Sequence, residues 1–217
     1  MKKFISTLLI LGAVLSLASC KMSGPSVVSP DGNTYEMIIA EDGGRTLDEN
    51  GNLIVAKEDE NGNEVTEVLT DKYLIVDDEK IMAPAYDMEV PDKFNVDSTQ
   101  AADPRLVSKD GNIQFHVMDK TEFVKNYDDY VSDSYRSLQS ISADTSELED
   151  VTIENTAMKR FYGTISNDDG QPMTLYTYLA KANNRVLLIT LTAADGNITS
   201  PDAADQFIAE NVDFVNA

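Results

Sequence analysis

Val186-Leu187-Leu188-Ile189-Thr190-Leu191 is apolar on both faces of an extended chain, and a strand of that kind belongs in the middle of a sheet with something packed on either side. The preceding segments, Thr156 to Ser166 and Met173 to Lys181, carry alternating apolar residues, and turns at Asn167-Asp168-Asp169-Gly170 and Asn183-Asn184 separate the three strands. Loops this short join antiparallel neighbours. Residues 156–194 therefore read as a meander whose last strand is internal.

Outward from that meander the pattern mixes helix and strand. Ile113-Gln114-Phe115-His116-Val117-Met118 alternates as a half-buried strand, and Tyr86-Asp87-Met88-Glu89-Val90 is a strand stopped by Pro91-Asp92. Tyr127, Tyr130, Val131, Ser134, Tyr135, Leu138 and Ile141 recur at intervals of three and four, which predicts a helix from about Asp128 to Ser142. Asp128 and Asp129 stand where the helix dipole favours negative charge. A second helix starts with Ser200 as cap and Pro201 at its first position, and presents Ala204, Phe207, Ile208 and Val212 on one face. The two helices are expected to be the coverings of the sheet, which makes residues 85–217 an α+β domain: an antiparallel sheet with flanking helices.

Residues 34–84 read differently. Short alternations such as Tyr35-Met37-Ile39 and Leu53-Val55, and the run Tyr73-Leu74-Ile75-Val76, are separated by Asp42-Gly43-Gly44 and by two copies of Asp-Glu-Asn-Gly-Asn, at 48–52 and 59–63. Asn-Gly between alternating segments favours a tight hairpin, because a type I′ turn needs positive φ at both central residues. A small all-β hairpin region is expected here. The two acidic turns resemble the first half of an EF-hand loop. However, the sixth position should be Gly and holds Leu53 or Glu64, and the twelfth should be Glu and holds Asp59 or Thr70. Turn chemistry accounts for the same residues without a metal.

At the N-terminus Lys2 and Lys3 precede an apolar run from Phe4 to Leu17 that ends in Ala18 and Ser19, the pattern of a signal peptide over residues 1–19. Leu17-Ala18-Ser19-Cys20 closes it with the chain's single cysteine and resembles the lipobox of bacterial lipoproteins. That resemblance implies cleavage before Cys20, thioether lipidation of its sulfur, and location on the extracytoplasmic side of a bacterial membrane. Two or three acyl chains hold stably where one of myristoyl length gives only marginal binding. A cut after Ala18 is the competing reading, and it leaves an exposed free thiol. Residues 20–33, with Ser23-Gly24-Pro25 and Ser29-Pro30-Asp31-Gly32, read as a lipid-anchored tether.

Loss of Lys2 and Lys3 leaves 15 basic residues against 38 acidic ones, a formal charge of about −23. Such a field repels nucleic acid and anionic headgroups and excludes nucleic-acid functions. It does not imply disorder, since 42% of residues are hydrophobic and 25% charged.

The remaining groups give no catalytic signature. His116 is the only histidine and sits in an alternating strand, so a structural imidazole is favoured over catalysis; Cys20 is taken by the anchor. No Gly-x-Ser-x-Gly elbow or phosphate loop occurs, and zinc sites rich in His or Cys cannot be assembled. Adjacent carboxylates at 77–78, 128–129 and 168–169 fall at turns or a helix start. No enzyme, cofactor or metal is expected. The one constellation with binding chemistry is aromatic. Tyr176 and Tyr178 share a strand face and Tyr162 lies on the preceding strand; exposed, they form a stacking platform, and buried, they are core.

The order of elements after residue 85, with Met88-Glu89-Val90-Pro91-Asp92-Lys93-Phe94 at the start and Ala204-Asp205-Gln206-Phe207 leading to Val212-Asp213-Phe214-Val215 at the end, resembles the Mog1/PsbP-like α+β fold. The resemblance implies a noncatalytic role in binding or assembling other proteins. The functional expectation is an envelope interaction module with a protein partner, with a lipoprotein binding carbohydrate, peptide or calcium as the alternative.

Overall fold

A computed structural model describes residues 23–28, 33–40, 45–49, 51–69, 74–76, 79–97 and 103–215; the signal peptide expected over 1–19 and the lipidation expected at Cys20 lie outside them. The described residues form two antiparallel sheets and two α-helices. The first sheet contains β1 (Ser23–Val28), β2 (Thr34–Ile38), β3 (Leu53–Glu58), β4 (Glu64–Leu69), β5 (Leu74–Val76), β6 (Lys80–Ala83), β7 (Tyr86–Glu89) and β15 (Val212–Phe214), in the order β15-β7-β6-β5-β1-β2-β3-β4. The second contains β8 (Phe94–Asp97), β9 (Arg105–Ser108), β10 (Ile113–Asp119), β11 (Glu149–Ile153), β12 (Thr156–Ser166), β13 (Pro172–Ala182) and β14 (Arg185–Ala194), in the order β11-β12-β13-β14-β10-β9-β8.

This architecture overturns the α+β expectation of a Mog1/PsbP-like sheet with flanking helices. The chain is predominantly antiparallel β, with α1 (Tyr127–Ile141) and α2 (Pro201–Asn211) as its two α-helices among the described residues. The boundary expected between residues 84 and 85 falls in the turn of the β6–β7 hairpin, where Ala83 pairs with Tyr86. The 34–84 hairpins supply most of a sheet that strands from after residue 85 complete. The tether expected over 20–33 is likewise replaced over Ser23–Val28 by β1, an internal strand paired with β2 on one side and β5 on the other.

One core joins the two sheets. Ile81, Tyr86 and Met88 of the first sheet bury against Leu106, Phe115, Val117, Tyr178, Leu187 and Ile189 of the second, with Ala204 and Ile208 of α2 and Val212 of β15. Each large side chain buried there contributes roughly 1.5–3 kcal/mol over an exposed one. The opposite face of the second sheet is covered by α1, whose Val131 and Leu138 pack with Phe161 and Leu179. β14 is the central strand of its sheet, as its two apolar faces require. One of its faces is covered by α2 together with sheet one, where helices alone had been expected.

The helix ends follow their sequence signals. Asn126 accepts from the Asp128 and Asp129 N–H groups, and Ser200 Oγ accepts from the Ala203 N–H. Two tyrosines seat α1: Tyr127 donates to the Leu179 carbonyl at 2.7 Å and Tyr135 to the Ser146 carbonyl at 2.9 Å. Burial pushes the Tyr127 hydroxyl up to about 12, with the charge of Asp128 adding to it. Phe207 of α2 meets Phe115 edge-on at 5.3 Å and Phe94 at 5.7 Å. After α2 the chain passes straight into β15, which pairs with β7 and closes the second sheet's helix onto the first sheet.

Candidate functional site

The β12–β13 register sets Tyr162 opposite Tyr176, with ring centroids 5.5 Å apart, and Tyr178 follows on the same face. That face points into the inter-sheet core. Tyr176 is 3% exposed and Tyr178 0%, while Tyr162 is partly buried against the same cluster. The three residues are therefore core, and the stacking-platform reading is overturned. A period of two places the rings on one face, but it does not say which face the rest of the chain covers.

The tyrosine hydroxyls are held inside. Tyr176 donates to the Ile198 carbonyl at 3.3 Å, and Tyr178 donates to Asp205 Oδ1 at 2.7 Å. Asp205 Oδ2 accepts in turn from Arg160 Nη1 at 2.5 Å, while Arg160 Nε and Nη2 reach Glu149 Oε2 at 3.1 and 2.5 Å. One guanidinium thus ties β11, β12 and α2 together. Burial raises the pKa of the Tyr178 hydroxyl, and its bond to Asp205 adds to the rise. For Arg160 burial opposes the charge, but the bonds to Glu149 and Asp205 outweigh it and raise the pKa. A phenol that stays protonated and a guanidinium that stays charged form a structural latch with no group poised for proton transfer near neutrality.

His116 lies in β10, opposite Arg105 on β9 and Thr190 on β14. Burial lowers its pKa, the Asp103 charge resists, and Lys120 and Arg105 add to the lowering. Its buried Nε2 has no hydrogen-bond partner among the described residues. Arg105 is paired with Asp97, and Lys120 Nζ lies 3.9 Å from Asp103 Oδ2.

The two acidic turns use their carboxylates on themselves. Asp48 Oδ1 accepts from the Asn52 N–H at 2.8 Å, and Asp59 Oδ1 accepts from the N–H groups of Asn61 and Asn63 at 2.8 and 2.9 Å. These bonds hold the Asp59 carboxyl below the usual carboxylate range. Among the described residues no group of three or more His, Cys, Asp or Glu side chains is placed to hold a metal ion.

The two copies nevertheless have different surroundings. The 59–63 turn is a solvent-facing hairpin tip, whereas the 48–52 turn docks against the β13–β14 turn of the other sheet. Asn183 Nδ2 donates to the Pro84 carbonyl at 2.8 Å and reaches that of Gly51 at 3.5 Å. Arg185 donates to Asn52 Oδ1 and, at 3.1 Å, to Asp119 Oδ2. Sequence reasoning took Asn183-Asn184 as a turn only and passed over Arg160 and Arg185. The usable signal was Arg160 itself, a cation between Met158 and Tyr162 on one strand face.

No family model matches the chain, and no curated protein matches it. Two solved structures it is similar to are bacterial proteins, one of them of unknown function. One, from Bacteroides thetaiotaomicron, is 15% identical with a TM-score of 0.43, over 60% of this chain and 45% of that one. Another, from Pseudomonas aeruginosa, is 16% identical with a TM-score of 0.37, over 57% of this chain and 88% of that one. The match to the Bacteroides protein spans less than half of that protein's length.

Proposed function

We propose that the chain is an exported lipoprotein, held on the extracytoplasmic face of a bacterial membrane by acyl chains on Cys20, and that it acts there by contact with another envelope protein and without catalysis. The observation that carries the anchor is Leu17-Ala18-Ser19-Cys20 at the end of a 14-residue apolar run from Phe4 to Leu17, with no second cysteine in the chain. The contact reading is supported by the commitment of the chemically capable side chains to the fold: Tyr176, Tyr178, Arg160 and Asp205 hold elements together, and the acidic turns bond to themselves. The ligand-binding alternative loses its aromatic platform to burial. Phe123, in the 3-10 turn Thr121–Phe123 ahead of α1, is 77% exposed and supplies an apolar contact point.

Two measurements test the proposal. Cys20→Ala moves the protein out of the membrane fraction or stops its maturation; a processed variant that remained membrane-bound would refute the anchor. A photoreactive phenylalanine at position 123 on intact cells gives one discrete protein adduct. Its absence, together with a saturable thermal shift from a sugar, peptide or calcium ion, would transfer the function to ligand binding.

A further inference from the structure

The position of β1 says how the anchored body meets the bilayer, given the lipoprotein reading above. Lys21 and Met22 alone lie between Cys20 and Ser23, the first residue of β1. Three residue steps of fully extended chain reach about 11 Å. The acylated sulfur sits at the boundary of the hydrocarbon, and the headgroup layer of one leaflet is roughly 5–8 Å deep. Crossing the headgroups therefore uses most of that reach and leaves roughly 3–6 Å.

β1 cannot lend extra length. It stands between β2, with Ser23 opposite Ile38 and Val28 opposite Thr34, and β5, with Val28 opposite Ile75. Peeling it away would cut the first sheet into two parts, β2-β3-β4 and β5-β6-β7-β15. The Ser23 end of β1 also fixes which part of the molecule is near the lipid. Ile39 bridges Arg45 and Leu47 bridges Leu53 beside that end, so exposed Glu49 lies close to it. The β3–β4 tip at Asn61 lies beyond the other end of β3, a six-residue strand about 20 Å long at 3.4 Å per residue.

We infer that the folded body has no free tether and rests directly on the lipid headgroups by the Ser23 end of its first sheet. Its partner surface there is the bilayer itself. Electrostatic repulsion from a net acidic body acts against this placement, but a covalent link this short lets it stand off by only roughly 3–6 Å, less than the Debye length of about 8 Å, so proximity persists on zwitterionic and on anionic membranes alike.

The test uses full-length, acylated protein in phosphatidylcholine vesicles carrying a headgroup-linked energy acceptor. The thioether on Cys20 leaves an introduced cysteine as the only labelling site, so a donor goes onto E49C or N61C, both exposed turn positions. Transfer from E49C is expected to exceed that from N61C, and a ten-residue Gly/Ser spacer inserted between Met22 and Ser23 should lower the E49C transfer at least twofold. Equal transfer from both positions, unmoved by the spacer, on protein whose mass shows acylated Cys20, overturns the inference and leaves the lipoprotein reading intact. A mass without acyl chains overturns that reading and the inference with it.

Discussion

Gly51 and Gly62 occupy the same place in two copies of one turn sequence, with φ of 77° and 76°, and differ only in what lies beside them. A Cβ on Gly51 would come within 2.8 Å of Asn183 Nδ2, whereas one on Gly62 would meet nothing. Both Ala variants incur left-handed strain of about 1–2 kcal/mol. Gly51→Ala also displaces the side chain that joins the two sheets. We expect it to cost about 1–2 kcal/mol more than Gly62→Ala, since it adds the loss of Asn183 hydrogen bonding, and urea denaturation of both variants measures the difference.

His116 belongs at the same scale. Its pKa in the folded chain is lowered from 6.5, chiefly by burial, so below that pH the unfolded chain takes up a proton that the native one resists. Stability present above pH 6.5 should fall as the pH drops through the lowered value. His116→Gln should remove this part of the pH dependence, while the loss at still lower pH, where Asp59, Asp110 and Asp144 protonate, remains. Identical pH–stability profiles for both proteins between pH 7 and 5 would refute the assignment. That His116 lies in a half-buried strand could be read from the alternation around it. Its orphaned Nε2 could not, because that depends on neighbours distant in the sequence, such as Arg105 on β9 and Thr190 on β14.

At the scale of elements, legibility followed turn chemistry. The strands around Asn183-Asn184 were readable because asparagine tolerates the left-handed region, and the structure gives these residues φ of 44° and 58°. β11 was not readable. Its hairpin to β12 turns through Glu154 and Asn155 at φ 46° and 62°, and glutamate carries no turn signal. Replacing Glu154 with Asn should raise stability by up to about 1 kcal/mol, because asparagine bears positive φ at lower cost; an unchanged or lowered midpoint in thermal unfolding would refute it. β8 and β9 escaped because four-residue strands are too short for period two to stand out. The latch they could not reveal is Arg160. Arg160→Met should destabilise by about 1–3 kcal/mol, since it leaves the partly exposed Asp205 carboxylate without its cation beside the core. A double variant with Asp205→Asn should recover part of the loss, and strict additivity of the two would refute the coupling.

For the whole molecule, the sequence pattern separated hairpins before residue 85 from mixed elements after it, and the difference in periodicity is real. What it could not contain is pairing across that line. Tyr86 and Met88 of β7 pair in register with β6 on one side and β15 on the other, and both side chains sit in the core shared by the two sheets. A fragment of residues 85–217 therefore keeps the second sheet and both helices but loses Ile81 and Ala83 from over its core, and leaves β7 with one open edge. Removing one large buried aliphatic side chain costs about 2–5 kcal/mol, a large share of the roughly 5–15 kcal/mol by which a domain is stable. Exposed Tyr86 and Met88 on an unpaired edge also invite association between copies. The fragment should be expressed as an aggregating chain without a cooperative unfolding transition, while a longer fragment of residues 20–217 unfolds in one step by far-UV circular dichroism and by tyrosine fluorescence. A soluble, cooperatively unfolding 85–217 fragment would show that β1–β6 are an accessory to an independent second sheet, and the molecule would then be two units that merely share a hairpin.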